Sequence, residues 1–177
     1  GLGIEGTPHE LLKTKCWMYF PEDEPIIYRM TMFSNYSKYN VPEPDKQYSL
    51  MCEVCESEDK EVDVKNIVER VISGLRSTTL LPKDAKIISK WHYSANYGYP
   101  TPSLERDDIL KTVIPHLDSI GIYSRGRFGG WKYEVSNQDH SFMQGVEWVD
   151  FIIDKTPEST YRADTTEDPN LKMKSKK

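Results

Sequence analysis

Residues 121–147 read GIYSRGRFGGWKYEVSNQDHSFMQGVE, and this stretch decides the fold. A short apolar run, Ile120 to Ser124, predicts a strand, and the glycines from Gly126 to Gly130 predict a turn that lets backbone approach a ligand closely. A helix follows from Asp139 to Ile153, with Phe142, Val146, Val149 and Ile153 at helical spacing. The strand delivers Arg125 and Arg127 into the turn, Trp131 and Tyr133 follow, and Asn137, Gln138 and Asp139 precede the helix. The first turn of a helix has free N–H groups and a partial positive charge, which suits an anionic or electron-rich ring edge. The plainer alternative is an Asn or Asp N-cap, with the arginines in surface ion pairs.

Upstream, residues 1–20 read as strand, loop, strand, with Gly1, Gly3 and Gly6 at the opening and Cys16 to Phe20 as the second strand. Ile26 to Ser34, Tyr48 to Cys55 and the start of Lys86–Tyr99 also carry strand-forming residues between proline and glycine breaks. In Ile26 to Ser34, alternation puts Tyr28, Met30 and Met32 on one face and Ile27, Arg29, Thr31 and Phe33 on the other. Val64, Ile67, Val68, Val71, Ile72 and Leu75 keep a helical period behind Asp63, a candidate N-cap. Leu104 to Ser119 predicts a further helix, capped by Ser103 and kinked at Pro115. Residues 155–177 lose hydrophobicity, end in a lysine-rich run, and read as a disordered tail.

The chain has 177 residues, 37% hydrophobic and 29% charged, with a net charge of −5. No apolar run approaches the roughly 20 residues of a membrane-spanning helix. The acidic balance argues against duplex nucleic acid, whose phosphates want clustered Lys and Arg. Three cysteines make no disulfide framework, which points to a reducing, cytoplasmic setting. The opening Gly1-Leu2-Gly3 without Met reads as an excised piece of something longer. Cys52-Glu53-Val54-Cys55 is a lone CxxC with no second pair or spaced histidines, so no metal site is expected and both thiols read as buried strand residues. No GxSxG, HExxH, Walker loop or GxGxxG is present. Eleven tyrosines and four tryptophans cluster with arginine, a composition suited to an anionic, ring-bearing ligand.

The segment RGRFG followed by WKYEVSNQDHSFM resembles the flavin-site motif of the eukaryotic-type UDP-galactopyranose mutases. KCWMYFPED (15–23), YRMTMFSNYSKYN (28–40), YSLMCEV (48–54) and YGYPTPSLER (97–106) resemble the same family in the same order. The resemblance implies an α+β fold: an antiparallel sheet with flanking helices, joined to the closing strand and helix of a Rossmann-like FAD-binding domain. It divides the chain into a substrate-domain part (1–119), the C-terminal part of the FAD domain (120–154) and the tail (155–177).

The same resemblance implies a flavoprotein isomerase that interconverts UDP-galactopyranose and UDP-galactofuranose through a reduced-flavin sugar adduct, with FAD as cofactor and NAD(P)H as reductant. No side chain is catalytic in that scheme, because the flavin carries the chemistry. Arg29 resembles the diphosphate-binding arginine. Tyr19, Tyr36, Tyr99 and Tyr133 resemble its tyrosine partners, and Trp17 resembles a substrate-site aromatic. Arg127, Asn137 and Gln138 fall where the family contacts FAD, and Ser136 stands where the family has glycine. The rivals are an amine- or porphyrinogen-oxidase-like flavoprotein and a non-catalytic nucleotide- or partner-binding remnant. The chain lacks the GxGxxG unit for the ADP half of FAD, so it resembles the C-terminal portion of the enzyme. The oligomeric state is left open.

Overall fold

The computed structural model describes residues 1–162 of the 177. They form two compact units, Gly1–Ser94 and the chain from Ala95 onward.

The first unit is built on a five-stranded antiparallel sheet in the order β2-β3-β4-β1-β5. Its strands are β1 (Leu2–Glu5), β2 (Trp17–Tyr19), β3 (Arg29–Met32), β4 (Gln47–Glu53) and β5 (Ile87–Lys90). Short helix α1 (Glu10–Lys13) precedes β2, and α2 (Ile67–Ser77) lies between β4 and β5. Met30 and Met32 are buried in one core with Leu2, Ile4, Tyr48 and Leu50 and with Ile67, Val71, Ile72 and Leu75 of α2. The alternation read over Ile26 to Ser34 is not one of burial, however: Thr31 is fully buried as well, and Ile27 joins the same core. Asp63 does cap, its carboxylate accepting from the Lys65 N–H at the head of a 3-10 turn that leads into α2. Gly74 lets α2 lie close to the Pro25 ring: a Cβ there would fall 2.6 Å from Pro25 Cβ.

The second unit contains α3 (Arg106–Ser119), a single helical turn α4 (Gly126–Gly129), α5 (Gln138–Asp154) and α6 (Ser159–Arg162). Three expectations are corrected here. Residues 120–124 form no strand, because a strand exists only through ladder partners and none flanks them among the described residues. The α5 helix forms as read, and its apolar stripe is open, with Phe142 71% and Ile153 76% exposed. The α3 helix starts at Arg106, with Glu105 rather than Ser103 at its N-cap. Residues 155–162, read as the start of the tail, are packed: Glu158 and Tyr161 are buried, and Thr160 is tied to Glu147. Polar bonds order this segment, which hydrophobicity alone does not reveal. Residues 163–177 of the expected tail lie outside the described residues. The boundary expected at 119/120 falls inside the second unit.

Candidate functional site

On the first unit, the sheet face opposite the core carries the polar and aromatic side chains. Strand pairing sets Trp17 opposite Thr31 and Tyr19 opposite Arg29, and Arg29 in turn faces Glu53. The Arg29 guanidinium lies 5.7 Å from the Trp17 ring centre, 6.0 Å from Tyr19 and 5.9 Å from Tyr28. Its Nε and Nη2 each donate to a Glu53 carboxylate oxygen at 2.6 Å, and the Tyr28 hydroxyl donates to the same carboxylate at 2.8 Å. Glu53, with help from the Tyr19 hydroxyl, outweighs burial and holds the Arg29 pKa far above its ordinary value. Arg29 is therefore a permanent cation whose one edge is already taken. A planar fork in a ring of aromatic faces can still offer Nη1 to a phosphate oxygen.

Glu53 is the residue that sequence reading missed. It sits inside the CxxC, where attention falls on the cysteines. Of those, Cys52 faces the core and burial pushes its thiol up to about 12, whereas Cys55 lies past the strand end and is exposed, contrary to expectation. Among the described residues no cluster could hold a metal ion.

Beside this row the same unit has an open concavity of about 610 Å³, lined by Gly3, Ser49, Met51, Phe33, Ile88 and Trp91 among others. Small residues at the floor, Gly3 and Ser49, leave the room. Tyr36 ends the 3-10 turn Phe33–Asn35 and packs edge-on against Phe33, ring centres 5.9 Å apart. Trp17, Tyr19 and Tyr36 are all exposed.

On the second unit, Arg127 rides on α4 with its guanidinium 4.8 Å from the Tyr99 ring centre. Tyr133 opens a 3-10 turn, Tyr133–Val135, and is half exposed. Arg106 at the start of α3 donates from both Nη atoms to Glu134, at 2.9 and 2.7 Å, which ties the segment after Tyr99 to the turn of Tyr133. Burial disfavours the Glu134 charge, but Arg106 outweighs it and the Glu134 pKa falls below its ordinary value.

Gln144, buried on α5, stitches both turns to that helix. Its Oε1 accepts from the Gly126 N–H at 2.8 Å and its Nε2 donates to the Val135 carbonyl at 2.7 Å. Sequence reading missed it too; a glutamine beside an apolar stripe gives little signal. Asn137 occupies the N-cap position of α5, yet its side chain makes no capping hydrogen bond. Asn137 and Gln138 are exposed. Asn137 thus makes no plain side-chain N-cap, and Arg125 is in an ion pair with Glu158 that is buried and not the surface pair of the plainer alternative. Ser136 has an ordinary backbone (φ −131°) and is buried, its hydroxyl donating to the Tyr133 carbonyl at 2.7 Å. It therefore closes its own turn.

The N-terminus of this long helix has free N–H groups, and the Asn137 and Gln138 side-chain amides have no partner among the described residues, so it presents hydrogen-bond donors suited to electron-rich carbonyls.

A solved structure described as reduced UDP-galactopyranose mutase matches this chain at 52% identity with a TM-score of 0.84, over 90% of this chain and 34% of that one. The chain is similar to part of a UDP-galactopyranose mutase. At this identity the likeness concerns sequence as well as fold, and the resemblance read from the motifs and the α+β class are borne out. The mutase likeness favours neither the oxidase-like rival nor the remnant. No family model matches the chain. The chain spans about a third of the mutase it matches.

Proposed function

We propose that this chain supplies the C-terminal, substrate- and flavin-contacting part of an isomerase that interconverts UDP-galactopyranose and UDP-galactofuranose. The observation that carries the reading is the 52% identity to a UDP-galactopyranose mutase over 90% of the chain. In this reading, on the first unit, Arg29 offers Nη1 to the UDP diphosphate, with Trp17, Tyr19 and Tyr36 as its aromatic walls and phenol donors; on the second unit, Tyr99 and Tyr133 are phenol donors. Arg127, Asn137 and Gln138 hold FAD by donating to its electron-rich edge. Bound in reduced form, FAD supplies the nucleophile for the sugar, and NAD(P)H is the reductant that restores it. The protein's own residues orient the diphosphate and stabilise its charge when it leaves, an effect strongest where water is excluded. The setting is cytoplasmic.

Two features support a larger fold around the chain. The described part of α3 buries none of its residues, and the apolar stripe of α5 is exposed. Apolar helix faces of that kind belong against other structure, and in this reading the remainder of a mutase-like enzyme covers them.

The test is titration of the chain with UDP, followed by tyrosine and tryptophan resonances. UDP should shift Trp17 and Tyr19, and Arg29→Ala should weaken binding at least tenfold, because a hydrogen bond to a charged group contributes roughly 1.5–3 kcal/mol. Equal affinity of wild type and Arg29→Ala for UDP would refute the diphosphate role. Equal affinity for UDP and uridine would refute it independently.

A further inference from the structure

The residues after α5 are built into the second unit in a way the flavin motif does not explain. Glu158 is 4% exposed, and its two carboxylate oxygens accept from Arg125 Nε at 2.5 Å and Nη2 at 2.8 Å. The third corner of the same guanidinium, Nη1, donates to the Ser124 carbonyl at 2.8 Å. The Tyr161 ring lies over the guanidinium, 4.3 Å from ring centre to Cζ. Tyr161 also covers the end of the glycine turn: a Cβ on Gly130 would meet its ring at 3.1 Å. The segment is itself anchored, because Glu147 of α5 accepts from the Thr160 N–H at 2.8 Å, the Thr160 hydroxyl at 2.7 Å and the Ser159 hydroxyl at 2.8 Å. Arg125 is the residue immediately before α4, whose turn carries Arg127.

We infer that residues 156–162 are a clamp on the Arg125–Gly130 turn, and that Glu158 is a positioning residue that acts through Arg125 to fix where Arg127 points. The inference rests, for its functional meaning, on the reading that Arg127 contacts FAD. A turn with three glycines among residues 126–130 has many accessible backbone states. On one side Gln144 holds Gly126. On the other, the turn's entry is held by the fully engaged Arg125 fork and its exit by the Tyr161 ring. A bidentate pair this buried, with a ring on its face, fixes orientation as well as position. Pre-ordering the turn removes an entropic cost that a bound cofactor would otherwise meet.

The experiment uses the whole chain, isotopically labelled, with Glu158→Gln, Glu158→Ala and Tyr161→Leu. Amide exchange at Gly126 and Gly130 should rise at least tenfold in each variant, while amides of β1, β4 and α3 keep their wild-type rates. The Arg127 Nε–H resonance, shifted by the Tyr99 ring, should move toward its unstructured position. That spectroscopic signature reports the pose of Arg127 and would not move if Glu158 merely added stability. Glu158→Gln, which keeps the shape and one acceptor, should lie between wild type and Glu158→Ala. If Glu158→Ala fails to fold, Glu158→Gln and Tyr161→Leu carry the test. Wild-type exchange at Gly126 and Gly130 with an unmoved Arg127 signal would overturn the clamp. Exchange raised equally across α3 and the turn would also overturn it, showing a global effect only. Millimolar FAD added to the wild-type chain should shift the Arg127 Nε–H signal; a verified clamp with no such shift would refute the cofactor reading and leave the clamp standing.

Discussion

Truncating Glu53 tests whether the aromatic face of the sheet is organised around the Arg29–Glu53 ion pair. Glu53→Ala removes two hydrogen bonds of 2.6 Å to Arg29 and one of 2.8 Å from the Tyr28 hydroxyl. The two side chains are 18% and 23% exposed, so solvent screens them only partly. Removing one partner of a fully buried pair costs about 3–5 kcal/mol, whereas an exposed pair contributes about 0–1 kcal/mol. A site at about one-fifth exposure lies between these limits, and the loss should be about 2–3 kcal/mol. Glu53→Gln keeps the shape and one acceptor while deleting the charge, and should lose about 1–2 kcal/mol by the same reasoning. Urea unfolding should be followed through amide exchange of β3 and β4, so that the sheet unit is read apart from the other. Loss of the pair should also free the Arg29 guanidinium, weakening its ring contacts and changing the Trp17 fluorescence. A Glu53→Ala chain within 0.5 kcal/mol of wild type, on the scale of about 0.5 kcal/mol that marks a neutral surface change, would refute the claim that this pair organises the face.

The thiols should divide two to one. Cys16 and Cys55 are exposed and should react quickly with a disulfide reagent at pH 8, whereas Cys52, its thiol pushed up to about 12 by burial, should react roughly a thousandfold more slowly because thiolate is the reacting species. Three equivalents consumed in one fast phase would refute the placement of Cys52. The Glu134 pair predicts an acid dependence. Its folded-state pKa is depressed, so its contribution is present above the ordinary glutamate value, about 4.3, and disappears as pH falls through the lower folded value. Glu134→Gln should therefore melt below wild type at pH 6, and the gap should close toward pH 3; a gap constant with pH would mean that Arg106 does not set the Glu134 ionisation.

What was legible in the sequence follows from which physical signal each element leaves there. The helical period from Val64 to Leu75 comes from one-sided burial and is found where it is read, and Met30 and Met32 lie in the core, whereas Thr31 between them is buried too, which alternation does not reveal. The run at 120–124 shows the limit of that signal, because apolar β-formers announce a strand only if a partner strand exists to pair with it. The α5 stripe has the right period, but period reveals that a helix has an apolar side and not what covers it. Residues 155–162 were misread for a different reason. Their order comes from Glu158 reaching Arg125, 33 residues earlier, and such a pair leaves no local pattern. The same holds for Glu53 with Arg29, 24 residues apart, and for Gln144 with Gly126 and Val135.

The two units are consequently held together internally by different forces. The core cluster, from Leu2 through Leu81, belongs wholly to the first unit, where α2 closes over the sheet. Its stability comes mainly from apolar burial, and the Arg29 row is a polar face mounted on a rigid slab. The second unit has buried Ser136, Gln144 and Glu158, with Tyr161, and leaves much of the apolar surface of α3 and α5 open. Its shape is set by directional bonds: Arg106 to Glu134, Gln144 to both turns, Arg125 to Glu158. Hydrogen bonds and buried charge pairs add little net stability but fix geometry closely. On the proposed function, that is the balance expected of a part that would place Arg127, Asn137 and Gln138 against FAD. Flavin-edge donors misplaced by an ångström lose most of their value, whereas apolar area can be supplied by whatever structure packs against the open helices.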